Sequence, residues 1–212
     1  DPGHTLQKNS LTLMRAEAPL QEQRIKMKIC KAGVFEDLAQ ILEGKWEGYT
    51  AEVVCAIVDG LLKDNKDGLE YGLTSKMING LKKVLSVDQS KIKKFHLAAL
   101  ARYTVYGSDE QRDELYKMNV LPVLAAQFTH PDKLVVADAV IAVNNLVLGG
   151  ARLTDSELPH PYLETMDQRN LDGVTQLYKI FRSSTDDTTK RNAAICIGRL
   201  YKALPLPRNF SR

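Results

Sequence analysis

The amino-acid sequence predicts an all-α solenoid of about four helical repeats, and three observations carry that prediction. A ten-residue apolar pattern recurs in Gly33–Leu42, Lys76–Leu85 and Asn119–Phe128, at two equal steps of 43 residues. A fourth copy, Arg169–Tyr178, follows 50 residues on, and a period of this size is the signature of stacked supersecondary units. Each copy spaces its apolar residues by three and four, the stripe of an amphipathic helix, and precedes a turn and a longer, more apolar helix. Strand signals are missing: no Asn-Gly turn joins two alternating runs, and the β-branched residues sit within helical periodicity. With 212 residues, 44% hydrophobic and 26% charged, the chain can bury a core, which excludes a disordered tail and a large multidomain machine.

In chain order, residues 1–19 read as a frayed leader and residues 20–204 as the solenoid, opened by a capping helix over Gln21–Lys31. The repeats fall at about 33–74, 75–117, 118–165 and 166–204. Long helices are predicted over Tyr49–Lys63, Lys91–Tyr106, Lys133–Leu148 and Thr188–Ala203, with Asp88, Pro131 and Asp186 as start signals ahead of three of them. Short helices at Gly68–Gly72 and Asp109–Met118 make three helices per unit in the middle of the array. Asn79-Gly80 lies within the stripe of Met77, Ile78, Leu81, Val84 and Leu85, so it reads as a helix start rather than a hairpin turn. The extra length of the fourth interval falls in Gly149–Thr165, whose Pro159 and Pro161 mark a loop. Pro205-Leu206-Pro207 ends the last helix and begins an extended tail, 205–212.

The period falls in the range of armadillo and HEAT repeats, and the details resemble armadillo. The second helix of that family opens with a small residue, two apolar residues, a proline and leucines, which Asn119-Val120-Leu121-Pro122-Val123-Leu124 resembles. Its third helix carries a frame that Ala139, Ala142, Val143, Asn145 and Leu146 match. Repeat four keeps the frame with Ala193, Cys196, Ile197, Arg199 and Leu200, and repeat two with His96, Ala99, Leu100, Arg102 and Tyr103. Repeat one follows it loosely, with Val53, Ala56, Ile57 and Asp59. The resemblance covers Gly33–Leu204. It implies a right-handed superhelix whose third helices line a concave groove, with the Asn of the motif hydrogen-bonding the backbone of an extended peptide.

Only repeat three keeps that residue, as Asn145; the equivalent places hold Asp59, Arg102 and Arg199. Four residues earlier, where importin-like repeats of the family place Trp, stand Cys55, Ala98, Ile141 and Ile195. The missing Trp–Asn ladder argues against binding of nuclear-localisation signals. Arg102 and Arg199 suit carboxylates through bidentate contacts, or are solvated helix residues. Phe95, Arg102 and Tyr106 share one stripe, the composition of a binding hot spot, unless Phe95 is core and Tyr106 a helix cap. Asp138 completes the expected groove set of Phe95, Arg102, Tyr106, Asp138, Asn145 and Arg199.

Net charge is +3, too mild to imply nucleic acid by itself. Its distribution is uneven: Glu43–Glu70 carries −4 and Lys76–Tyr106 carries +6. The basic patch Lys82, Lys83, Lys91, Lys93 and Lys94 suits an acidic partner, a phosphoinositide-bearing surface or RNA, or is simply solvated. No zinc-finger spacing or aromatic RNA motif accompanies it. Gly44-Lys45 ends like a phosphate loop, but Ala39 stands where Gly is required and Trp46 replaces Ser or Thr. The histidines His4, His96, His130 and His160 have neither metal-ligand spacing nor a nucleophile partner, and Cys55 and Cys196 read as small core residues. No catalytic residue, metal or cofactor is therefore expected.

Cys30, Cys55 and Cys196 form an odd set without a close pair, which suits a reducing, intracellular compartment, cytoplasmic or nuclear. No run approaches the roughly 18 consecutive apolar residues of a membrane span. The start at Asp1 rather than Met is expected of a cut or processed N-terminus. In the Gly149–Thr165 segment, Leu153, Leu158, Tyr162 and Leu163 leave three readings: an arm over the groove, a partner contact, or an irregular first helix of repeat four. The expected function is a non-enzymatic adaptor or scaffold that holds a peptide or protein, acidic in character, in the groove. The alternatives are an electrostatic lipid- or nucleic-acid-binding module and a chaperone cofactor of the Hsp70-binding type.

Overall fold

The turns that open the second helices call for a left-handed residue, and the sequence supplies types that tolerate one: Gly33 (φ 86°), Asn119 (φ 61°) and Asp172 (φ 49°). Repeat two solves the same turn differently, with an extended Thr74 whose hydroxyl accepts the Met77 N–H. These turns set the path of the chain in the computed structural model, which describes residues 19–44 and 48–210. The leader 1–18, the tripeptide Lys45-Trp46-Glu47 and the last two residues of the tail lie outside the described residues.

Helix α1 spans 19–31, followed by α2 (Val34–Glu43) and α3 (Gly48–Leu62). Repeat two consists of α4 (Leu69–Gly72), α5 (Ser75–Val84) and α6 (Lys94–Tyr106), with a 3-10 turn at Lys66–Gly68 leading into α4. Repeat three holds α7 (Asp109–Lys117), α8 (Val120–Ala125) and α9 (Lys133–Arg152), and repeat four α10 (Leu163–Met166), α11 (Gly173–Ser183) and α12 (Asp187–Leu200). No strand occurs among the described residues. The third helices stack in a row, α3 on α6, α6 on α9 and α9 on α12, while α2 packs on α5 and α5 on α8. One hydrophobic core, from Cys30 to Leu200, runs between the layers. The architecture is an α-solenoid, built because no single repeat can bury its own apolar face.

Several boundaries differ from the sequence expectations for identifiable reasons. Asn79-Gly80 lies in the middle of α5, not at its start, because Thr74 caps the helix four residues earlier. Gly80 marks a close approach instead: a Cβ there would sit 2.7 Å from Leu42 Cβ. Asp88 caps a 3-10 turn at Gln89–Lys91 through the Ser90 N–H, so α6 begins only at Lys94. Helix α9 continues through Gly149 and Gly150 to Arg152. At 20 residues with a mean hydropathy of 1.8 it is long and apolar enough to cross a membrane, yet it is packed against α6, α7, α8 and α12. The tail does not run out extended. Phe210 stacks on Tyr178 at 4.1 Å, and the Tyr178 hydroxyl donates to the Phe210 carbonyl, folding the segment back onto α11.

Repeat one is out of the expected frame. Ala51, Val54, Cys55 and Val58 are buried, whereas Val53, Ala56 and Ile57 are exposed. The connection from α2 to α3 is short, while repeat two inserts the 3-10 turn between α5 and α6. The third-helix frame of repeat one is therefore displaced by two residues, which puts Ile57 rather than Asp59 in line with Arg102, Asn145 and Arg199.

Candidate functional site

With the frame corrected, the third helices present one row of side chains each. Val53, Ala56 and Ile57 come from α3, and Ala98, Ala101, Arg102 and Val105 from α6. Helix α9 adds Ile141 and Asn145, and α12 adds Ile195 and Arg199. Apolar members of the row stay open to solvent: Val53 is 38% exposed, Ile57 40%, Val105 40% and Ile195 39%. Between α6 and α9 the row dips into a hollow of about 290 Å³ lined by Lys94, Ala98, Ala101, Arg102, Val105, Asp138 and Ile141. The Trp-equivalent place of repeat one is Val53 rather than the expected Cys55, which is fully buried, its thiol pushed up to about 12 by burial.

Cross-repeat polar bonds tie the row together. Lys93 pairs with Glu52, and Arg102 Nε donates to Asp59 Oδ1 at 2.5 Å. The hydrogen bond that Arg102 donates to Asp59 raises the Arg102 pKa against the opposing effect of burial. Lys94 Nζ stands 3.9 Å from Asp138 Oδ2. Burial raises the Asp138 carboxyl, and Lys94 and Arg102 act against that rise. Farther along, Arg199 donates to Asn144 Oδ1 at 2.7 Å, and Asn144 donates to Asn192 Oδ1 at 3.0 Å. Arg199 has no carboxylate within ion-pair distance among the described residues, and half-buried Asn145 has no side-chain hydrogen bond there.

The structure has Arg102, Asp138, Asn145 and Arg199 on the third helices of the row, Tyr106 beside Arg102, whose pKa it helps to raise, and Phe95 packed against the core. Phe95 packs against the core with its ring edge-on to His96 at 4.5 Å, and Lys93 lies over its face. Tyr106 Oη accepts the Asp64 N–H and donates to Asp64 Oδ1, holding the end of α3. Phe95 thus serves the core, while Tyr106 both holds the end of α3 and stands by Arg102.

The basic patch is dispersed in the same way. Lys82 Nζ donates to the Met118 carbonyl at the end of α7 at 2.6 Å, and burial lowers its pKa. Lys83 Nζ reaches the carbonyls of Leu42, Glu43 and Gly44 at the end of α2. Lys26 does the same for Lys63, and Lys202 for Ala151, Thr154 and Asp155. A lysine from a neighbouring repeat, placed on the negative end of a helix, recurs through the array.

Gly149–Thr165 packs away from the row. Tyr162 stacks on Tyr116 at 3.7 Å and donates to Asp113, both on α7, while His160 Nε2 donates to the Val147 carbonyl and its Nδ1 accepts the Tyr162 N–H. The segment takes the place of a first helix of repeat four. Asn144 and the charge pairing were missed in the sequence, although Lys93–Glu52 and Arg102–Asp59 are opposite charges 41 and 43 residues apart, about one repeat.

Comparison with known proteins shows the fold. The chain is similar to a designed armadillo repeat protein in complex with the peptide (KR)4, at TM-score 0.52 and 14% identity, covering 82% of this chain and 85% of that one. A second designed armadillo repeat protein matches at TM-score 0.54 and 17% identity over the same shares. An engineered protein matches at TM-score 0.66 and 19% identity over 84% of this chain, which spans 40% of that structure's length. No protein-family model and no curated protein matches the sequence.

Proposed function

We propose, from an armadillo-like repeat fold as premise, that the chain is a non-enzymatic adaptor that holds an extended protein segment along the row of third helices. The observation that carries this reading is the row itself, with apolar side chains left open around an amide, Asn145, that has a donor and an acceptor to offer a backbone. The similarity to a designed armadillo protein holding a peptide supports the mode of binding. Residue chemistry sets the preference here, and Arg199 does not suit a second cation.

The electrostatic alternative has less behind it, because Lys82 and Lys83 cap helices and Lys93 and Lys94 face carboxylates. Selection of displayed 12-residue peptides against the chain tests the proposal. Selected peptides should bind at least tenfold more weakly to the double variant Ile141→Asp plus Ile195→Asp, with binding changed little between low and physiological salt. Equal affinity for that variant, or a steep loss with salt, would overturn it.

A further inference from the structure

The row of third helices is not uniform in charge. In repeats one and two the cations facing it among the described residues have carboxylates: Lys93 has Glu52, Arg102 has Asp59 and Lys94 stands near Asp138. In repeats three and four the corresponding place holds Arg199, whose guanidinium meets only the neutral Asn144 amide among the described residues. Burial lowers the Arg199 pKa; Cys196 opposes that effect, while Arg152 and Arg112 add to the lowering by bringing like charge near. Asp109 is paired to Arg112 and lies 3.5 Å from Arg152, so the nearby carboxylate already serves two guanidiniums. A partly desolvated, uncompensated cation is a standing cost that an incoming anion relieves. Asn145, on the same frame position one helix away, has no side-chain hydrogen bond among the described residues.

We infer that the occupant of the groove is an acidic peptide: an extended segment whose Asp or Glu side-chain carboxylate docks on Arg199 while an apolar side chain fills the hollow between α6 and α9. This rests on the groove reading above and specifies its ligand. Packed helices lie about 8–10 Å apart and an extended chain rises about 3.3 Å per residue. The hollow, between α6 and α9, is one helix step from the Arg199 guanidinium on α12. The apolar and acidic residues of the ligand are therefore about three positions apart.

The test uses fluorescein-labelled, C-terminally amidated 12-residue peptide pools in which Leu and Glu are fixed three positions apart in either order, beside matched pools with Gln for Glu. A third pair replaces Glu by Gln and leaves the C-terminus free or amidated. Anisotropy titrations of the whole chain should show about a tenfold preference for a Glu pool over its Gln pool. Arg199→Gln should abolish that preference without changing affinity for the Gln pool, and Arg199→Lys should restore part of it. Equal binding of Glu and Gln pools, or a preference that survives Arg199→Gln, overturns the acidic ligand while leaving the groove reading intact. So does a preference for the free C-terminus with none for Glu. Absence of binding to every pool overturns the groove reading with it.

Discussion

The two halves of the groove are built from equivalent helices but solve their electrostatics in different ways. In the first half, charges on α3, α6 and α9 face one another across helix interfaces, as in Glu52–Lys93 and Asp59–Arg102, and the surface between them is apolar. In the second half, amides replace carboxylates: Asn144 bridges Arg199 and Asn192, and Asn145 remains open. The outer layer differs too, since repeat four has no ordinary first helix and relies on Tyr162 stacked on Tyr116 and bonded to Asp113. A repeat frame fixes where side chains stand; single substitutions within it decide whether a position closes on itself or stays available to a partner.

The largest effect should come from removing the anchor of the second half. Tyr162→Ala deletes a ring that is 1% exposed and opens a cavity beneath Gly150, and it should cost about 3–5 kcal/mol in urea unfolding. A loss below 1 kcal/mol would mean that the segment is ornamental. Next, Asp59→Asn removes the carboxylate from a pair whose side chains are each 27% exposed, and should cost about 1–2 kcal/mol. The same substitution at Asp138, whose partner stands 3.9 Å away, should cost less.

Tyr103→Phe should move stability the other way. The Tyr103 hydroxyl is fully buried without a partner among the described residues, pressed close to Gly72, so its removal should raise stability by about 1 kcal/mol. A drop in the urea midpoint would show that the hydroxyl is satisfied in solution. The gentlest effect is on pH. Burial lowers the pKa of His160 and of His96 below the ordinary value of 6.5, so the unfolded chain binds more protons than the folded one. Stability should be complete above pH 6.5 and fall as pH drops below it. The fall should be shallower in His160→Gln, read from urea midpoints at pH 7.5 and 5.5.

Much of this fold was legible because its signal is periodic. The apolar stripes of α2, α5, α8 and α11 recur at the spacing that the helices require, and Asn119 and Asp172 stand where left-handed turns need them. The third-helix frame of repeat one was misread because periodicity does not report turn length, and the turn after α2 is shorter than the one after α5. That Arg102, Asp138, Asn145 and Arg199 stand on stacked third helices, α6, α9 and α12, was legible from that frame. Their pairing was not, because whether an arginine is neutralised depends on a residue one repeat away. The lysine run near repeat two was the least legible feature, since a cation that caps a neighbouring helix looks the same in sequence as one facing water.

Along the row of third helices, carboxylate compensation separates the two halves. The most direct test is the affinity of the Glu peptide pool for Arg199→Gln and for the double variant Asp59→Asn plus Arg199→Gln. With Asp59 neutralised, Arg102 loses its hydrogen-bonded carboxylate and keeps only the more distant charge of Asp138 beside the hollow, and part of the preference for Glu over Gln lost in the single variant should return in the double one. A double variant as indifferent to the acidic residue as the single one would contradict the claim.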